Sequence, residues 1–233
     1  MIKFNGIELT DVAPVKIDDI DVSPVALNPI VRERPLSPGA EFVRMNHGTR
    51  TVTITFALLE SAYNVREAAL MAIREWAATE GEKSLSLPHF DDRHLECICT
   101  QKPDASFRKW WESKLKLVFT CYNNPFWTSD EIIEVACGAD FSVGGSATPL
   151  MTIERNGNSQ LTNAVYSNGK AAMTFSKIPA GKMVIDLNRQ TAAIGKTSIM
   201  KYYSPTSKWI VPAIGANQYI SGTGVVRYRE RWE

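Results

Sequence analysis

Long apolar runs are missing from this sequence: no stretch approaches the roughly 18 uninterrupted residues that a membrane-spanning helix needs, so no membrane partner is expected. Charge of one sign is not concentrated either. The 26 basic and 25 acidic residues are interspersed and sum to +1, which leaves no block to grip nucleic acid or an anionic membrane. Cysteine is scarce. Cys97 and Cys99 lie two apart, with Cys121 and Cys137 far downstream; this is not a CxxC pair, and in a reducing compartment such residues act as small buried hydrophobes. Met1 to Gly6 has neither the apolar core nor the small-residue cleavage site of a signal peptide, so folding in the cytoplasm of the producing cell is expected.

Histidine is limited to His47, His89 and His94, and none lies near a Gly-x-Ser-x-Gly elbow, which removes the usual base for a serine or cysteine triad. Gly144-Gly145 is not followed by Gly-Lys-Ser and precedes no helix, so it is not a phosphate loop. The best metal candidate is His89-Phe90-Asp91-Asp92-Arg93-His94. Its histidines are off the four-residue spacing that puts a pair on one helix face, and Pro88 marks a loop. A polar turn whose side chains bond their own backbone explains the same residues, so no metal, cofactor or catalytic residue is expected.

What is present is mainly β. At 233 residues the chain is long enough for two domains without disulfide or metal support, and 44% hydrophobic with 22% charged residues is an ordinary folded composition. Phe4 to Leu9 reads as a short strand around Asn5-Gly6, and Val15 to Val25 carries β-branched residues broken by aspartates. Pro29, Pro35 and Pro38-Gly39 then rule out helix and demote any strand to an edge, giving a surface loop or an arm that reaches a neighbouring subunit. Phe42 to Met45 and Arg50 to Leu58 flank Asn46-His47-Gly48-Thr49, where Gly48 is expected to supply the positive φ of a hairpin turn.

One helix is predicted, with Asn64 as its cap, Gly81 as its terminator and Val65, Ala69, Ile73 and Trp76 as one apolar stripe packed on a sheet. Strand signals resume at Ser84 to Pro88, Leu95 to Thr100 and Lys114 to Tyr122. The intervening Phe107-Arg108-Lys109-Trp110-Trp111 reads as a core edge or protein interface in preference to a base-stacking platform. Gly138, Gly144 and Gly145 suggest a boundary near Cys137-Gly138, dividing residues 1–137 from 138–233. Beyond it, short strands at Leu150 to Glu154, Met173 to Ser176, Met183 to Leu187, Thr191 to Ile194, Trp209 to Val211, Tyr219 to Ile220 and Val225 to Tyr228, with Asn156-Gly157-Asn158 as a turn, indicate an all-β sandwich.

Several segments in order resemble the distal tail protein family of long-tailed, non-contractile phages. They are Phe4-Asn5-Gly6; Gly48-Thr49-Arg50 leading into Val52-Thr53-Ile54; Leu85-Ser86-Leu87-Pro88; and Phe119 to Trp127 with its Asn124-Pro125-Phe126. In the second half they are Pro149, Val184-Ile185-Asp186, the set Trp209, Pro212, Gly215, Asn217 and Ile220, and the closing Tyr228-Arg229-Glu230-Arg231-Trp232.

The resemblance implies an α+β first domain of tail-tube type, with one helix on a sheet, that closes into a homohexameric ring. It implies a galectin-like second sandwich at the periphery. The ring would join the tail tube protein to a tail-associated hub or spike protein at the virion tail tip and offer its outer domain to receptor-binding proteins. DNA would pass through its channel without sequence-specific binding. The family often has aspartate where Asn124 stands. The histidine, asparagine, arginine and tryptophan set with which galectins hold sugar is not evident. Pro29, Pro35, Pro38, Phe42, Arg44, Arg50, Trp110 and Trp111 are the candidate subunit-contact residues. The alternative is a carbohydrate-binding module for host cell-wall attachment, with Tyr202, Tyr203, Trp209 and Tyr219 as stacking platforms.

Overall fold

The computed structural model describes the whole chain apart from residues 34–39, 61 and 104–113 and the side chain at 217. It resolves into two compact units, residues 1–127 with Glu233, and residues 128–232.

The first unit opens with β1 (Lys3–Phe4) and β2 (Ile7–Glu8), which pair with each other around Asn5 and Gly6 at φ 53° and 80°. Asparagine and glycine tolerate this left-handed region, so the single strand expected from Phe4 to Leu9 is instead a tight hairpin. A one-turn helix α1 (Leu9–Val12) leads into β3 (Val15–Val22). Then come β4 (Leu27–Glu33), β5 (Ala40–His47) and β6 (Arg50–Leu58).

Along β6 the even-numbered residues from Val52 to Leu58 are buried, while Thr51, Thr53 and Thr55 are partly exposed. This is the period-two alternation of a sheet with one covered face. β6 pairs with β3 on one side and with β9 (Leu115–Cys121) on the other. It does not pair with β5, whose partner is β4. The hairpin expected between Phe42 to Met45 and Arg50 to Leu58 is therefore absent, and Gly48 does not have a positive φ. Its role is close approach. Gly48 N–H donates to the Ala26 carbonyl at 2.6 Å, and a Cβ here would lie 3.1 Å from the Ala26 methyl and 2.7 Å from Asn28 Nδ2.

The helix α2 (Tyr63–Trp76) buries Ala69, Leu70 and Ile73. Two expectations for it fail. Ala62, not Asn64, is the N-cap, because the helix starts two residues earlier, at Tyr63, and puts Asn64 inside its first turn; Val65 faces solvent. The helix also ends at Trp76, ahead of Gly81, which lies in the loop before β7 (Lys83–Ser86). Trp76 anchors it: the indole meets Phe4 and Phe119 edge-on at centroid distances of 5.6 and 6.2 Å, and its N–H donates to the Ile7 carbonyl. Phe4 and Phe119 are themselves 4.9 Å apart, so one aromatic triad joins the amino-terminal hairpin, the helix and the sheet. β8 (Arg93–Gln101) pairs with β7 through its first half and with β9 through its second, carrying the chain from one sheet segment to the next.

The chain passes into the second unit within β10 (Trp127–Ser129). β11 (Ile133–Ala136) pairs with β20 (Val225–Trp232). Residues 128–137, ahead of Gly138, cluster with this unit. Between them lie β12 (Asp140–Val143), β13 (Ala147–Gly157), β14 (Leu161–Ser167), β15 (Ala172–Ile178), β16 (Gly181–Asp186), β17 (Thr191–Ile194), β18 (Thr197–Ser198) and β19 (Gly215–Tyr219). An antiparallel sheet runs β11-β20-β13-β16-β17-β18, and β12-β19 and β14-β15 form two separate ribbons. One core, including Ile153, Tyr166, Phe175, Ile185 and Val226, joins these elements. Trp209 to Val211, expected as a strand, is not one, although Ile210 is buried in that core.

Candidate functional site

The most unusual surface in the first unit is the ribbon formed by β4 and β5. Every residue of both strands is exposed. Cross-strand partners share a face, and the register pairs Leu27 with His47, Pro29 with Met45 and Val31 with Phe42. One face therefore carries Leu27, Pro29, Val31, Phe42 and Met45 together with Glu33, Ala40 and His47 at its two ends, while the other carries Asn28, Ile30, Arg32, Glu41, Arg44 and Asn46. A register shift between Ile30 and Val31 accommodates one extra residue, Val43, in β5. Phe42 is 59% exposed. A two-stranded ribbon of this kind is marginal alone in water and presents an apolar face that a soluble protein ordinarily covers.

At the root of this arm, Ser23 fixes the entry to β6: its hydroxyl accepts from Thr51 N–H at 2.8 Å, and the two hydroxyls lie 3.1 Å apart. Alongside is a cavity of about 490 Å³ lined by Val22, Val25, Leu27, Arg50, Trp127 and Glu233, among others. Arg50, first residue of β6 and across the ladder from Cys121, is only 4% exposed. Its Nε and Nη1 find no hydrogen-bond partner among the described residues. Burial pulls the guanidinium below its ordinary pKa, only partly opposed by the through-space influence of Cys121 and Glu233.

Of the eight candidate contact residues, Pro29, Phe42 and Arg44 lie on the exposed ribbon and Arg50 at its root. Pro35, Pro38, Trp110 and Trp111 lie outside the described residues, as does the Phe107 to Trp111 segment. Leu27, on the same face, lies outside the segments that the sequence singled out, and Val31 and Met45 lie within them without having been named. The period-two signal Leu27-x-Pro29-x-Val31 was there, but prolines read as strand breakers hid it.

The paired histidines do not build a centre. Among the described residues no group of three or more histidine, cysteine or carboxylate side chains converges as metal ligands would. The segment is a turn: Phe90 stacks on Trp127 at 4.6 Å, Arg93 lies over Phe90, and the Arg93 guanidinium bonds the Asp92 carboxylate, holding its pKa below the usual range. The proposed sugar platforms are mostly structural. Tyr202, Tyr203 and Trp209 pack against the second core, Trp209 N–H donates to the Leu187 carbonyl, and Tyr203 lies 5.3 Å from Trp209. Tyr219 alone of the four is well exposed.

Cys97 and Cys121 are fully buried, and the Cys97 thiol is pushed far up, first by its hydrogen bond with Cys121 and then by burial. Cys99 and Cys137 are half-buried and also raised, chiefly by desolvation. We expect Ellman's reagent at pH 8 to leave Cys97 and Cys121 unmodified in the folded protein and to modify all four thiols in denaturant. Labelling of Cys97 at the rate of a free thiol without denaturant would contradict this packing.

The described residues thus form two β-rich units, the first bearing an exposed two-stranded ribbon beside a cavity. No protein-family model and no curated protein matches the sequence. Among solved structures, the chain is similar to the Dit protein of phage SPP1, described as a paradigm of the hub adsorption apparatus in phages infecting Gram-positive bacteria. The TM-score is 0.75 at 13% identity, over 100% of this chain and 98% of that one. The phage p2 baseplate in its activated conformation matches at TM-scores of 0.48 with calcium and 0.47 with strontium, each at 8% identity over 96% of this chain and 92% of that one. The similarity of fold to the SPP1 Dit protein extends over the whole chain.

Proposed function

We propose that this protein is a non-enzymatic structural subunit of a phage tail tip, a distal tail protein that closes into a homohexameric ring. The first unit would form the ring. The second, a galectin-like β-sandwich in this reading, would stand at the periphery and present itself to receptor-binding proteins. The ring would join the tail tube to the tail-associated hub or spike and leave an axial channel for DNA.

The observation that carries the reading is the end-to-end fold match to a phage hub protein. The exposed ribbon supports it independently. Apolar area is worth about 25 cal/mol per Å² once removed from water, so a face bearing Leu27, Val31, Phe42 and Met45 favours association. The outer edge of β3 points the same way, because β3 pairs with β6 alone among the described residues. Cyclic closure satisfies such edges without leaving a free end. Light scattering on the purified chain, alone and with its tail tube partner, tests the reading. A particle of six chains is expected; a monomer under both conditions would contradict it.

A further inference from the structure

We propose that Asn5, in the turn between β1 and β2, is a modification site: its side chain deamidates spontaneously in the folded protein and yields aspartate and isoaspartate. The inference goes beyond the ring reading above and does not rest on it.

Asn5, Asn156 and Asn168 each precede a glycine. Glycine has no Cβ to shield its backbone nitrogen and moves freely in φ and ψ, so by sequence all three are candidates. The nitrogen is the nucleophile. That of Gly6 attacks Asn5 Cγ, the new N–Cγ bond closes a succinimide ring, and Nδ2 leaves as ammonia, carrying the proton that the Gly6 nitrogen gives up. Water then adds to one of the two ring carbonyls. Breaking the N–Cγ bond gives aspartate; breaking the bond from the same nitrogen to the Asn5 backbone carbonyl carbon gives isoaspartate. Nothing is oxidised or reduced, and water is the co-reactant.

The fold separates the three sites. Asn5 is exposed, and its side chain has no hydrogen-bond partner among the described residues. Asn5 N–H is tied to the Ser84 carbonyl at 2.9 Å, but the Asn5–Gly6 peptide beyond it makes no hydrogen bond among the described residues. A Cβ at Gly6 would meet nothing within 4 Å, so open space surrounds the nucleophile. At Asn168 both reacting groups are held. Its Oδ1 accepts from Lys170 N–H at 3.1 Å and Ala171 N–H at 2.8 Å, and Gly169 N–H donates to Ser167 Oγ at 3.2 Å. Asn156 and Gly157 lie in the ladder opposite Lys182 and Gly181, with the Arg155 guanidinium packed against Gly157, which restricts the rotation that ring closure requires. At Asn5 the product's charge and, in isoaspartate, its extra backbone carbon fall between Phe4 of the aromatic triad and Ile7, whose carbonyl holds Trp76.

The test incubates the full chain in mildly alkaline buffer, folded and in denaturant, and follows each site by peptide mapping with mass spectrometry. An isoaspartyl methyltransferase scores the branched product. In the folded chain the peptide containing Asn5 should gain the mass of an amide-to-acid exchange first. Asn156 and Asn168 should lag by roughly tenfold or more, because their hydrogen bonds or ladder contacts must break before the ring can close. In denaturant the three rates should converge, each site then being an asparagine before a glycine in an unfolded chain. Asn5 reacting far more slowly folded than denatured, or Asn156 or Asn168 keeping pace with it in the folded chain, would overturn the proposal. Either result would leave the ring reading in place.

Discussion

Replacing residues 27–47 with a short glycine-serine linker should leave a folded chain that no longer assembles. The reason is the division of labour in the first unit. Every residue of β4 and β5 is exposed, and among the described residues the two strands pair only with each other. The buried residues lie elsewhere, on β6, β8, β9 and the inner face of α2. Among the described residues the arm touches the core through His47, whose ring meets the buried Phe126 edge-on at 5.0 Å, so stability should change by about 1 kcal/mol, a melting shift of roughly 2–4 °C in a chain of this size. Assembly should fail outright. Four large apolar side chains, each contributing about 1.5–3 kcal/mol when fully buried, go with the arm. Thermal melting and sedimentation of the same sample separate the two effects. Rings that persist without the arm would remove it from the subunit interface.

The opposite pattern is expected for Phe119→Ala. Phe119 is fully buried on β9, 4.9 Å from Phe4 and 6.2 Å from Trp76, so truncation empties the centre of the triad joining the amino-terminal hairpin, helix and sheet. A loss of about 3–5 kcal/mol is expected from the transfer and cavity contributions together. Against a typical domain stability of about 5–15 kcal/mol, that lowers the melting temperature by on the order of 10 °C. Phe42→Ala is the control. Its ring is exposed on the arm, so the lone chain should lose about 0.5 kcal/mol at most while association weakens. Urea denaturation of the two variants decides: equal losses would mean that Phe42 is packed in the lone chain, contrary to its exposure.

The parts of this fold legible in the sequence are those in which local periodicity and burial agree. Thr51 to Phe56 alternates cleanly because β6 is central, with one covered face, and the structure places it there. The helix between residues 63 and 76 and the β character of the second half were readable for the same reason. Pairing was not. Whether Phe42 to Met45 joins Arg50 to Leu58 or an earlier strand depends on partners distant in sequence, and an Asn-His-Gly-Thr link suits a hairpin as well as it suits the close crossing over Ala26. Val65 fitted the helical stripe but faces solvent, because the stripe meets the sheet only from Ala69 onward. The arm's amphipathic face was hidden by Pro29, which an outer strand tolerates. Arg50 was legible only as a charged residue opening a strand. That it is buried, with two nitrogens unbonded among the described residues, is a fact of tertiary packing alone.

Electron microscopy of the purified chain, alone and mixed with the tail tube protein that the proposed function assigns to it, addresses the central claim most directly. Closed rings of six subunits around an open channel are expected, each arm lying on the adjacent subunit. Discrete single chains, or particles in which both faces of every arm remain in solvent, would contradict it.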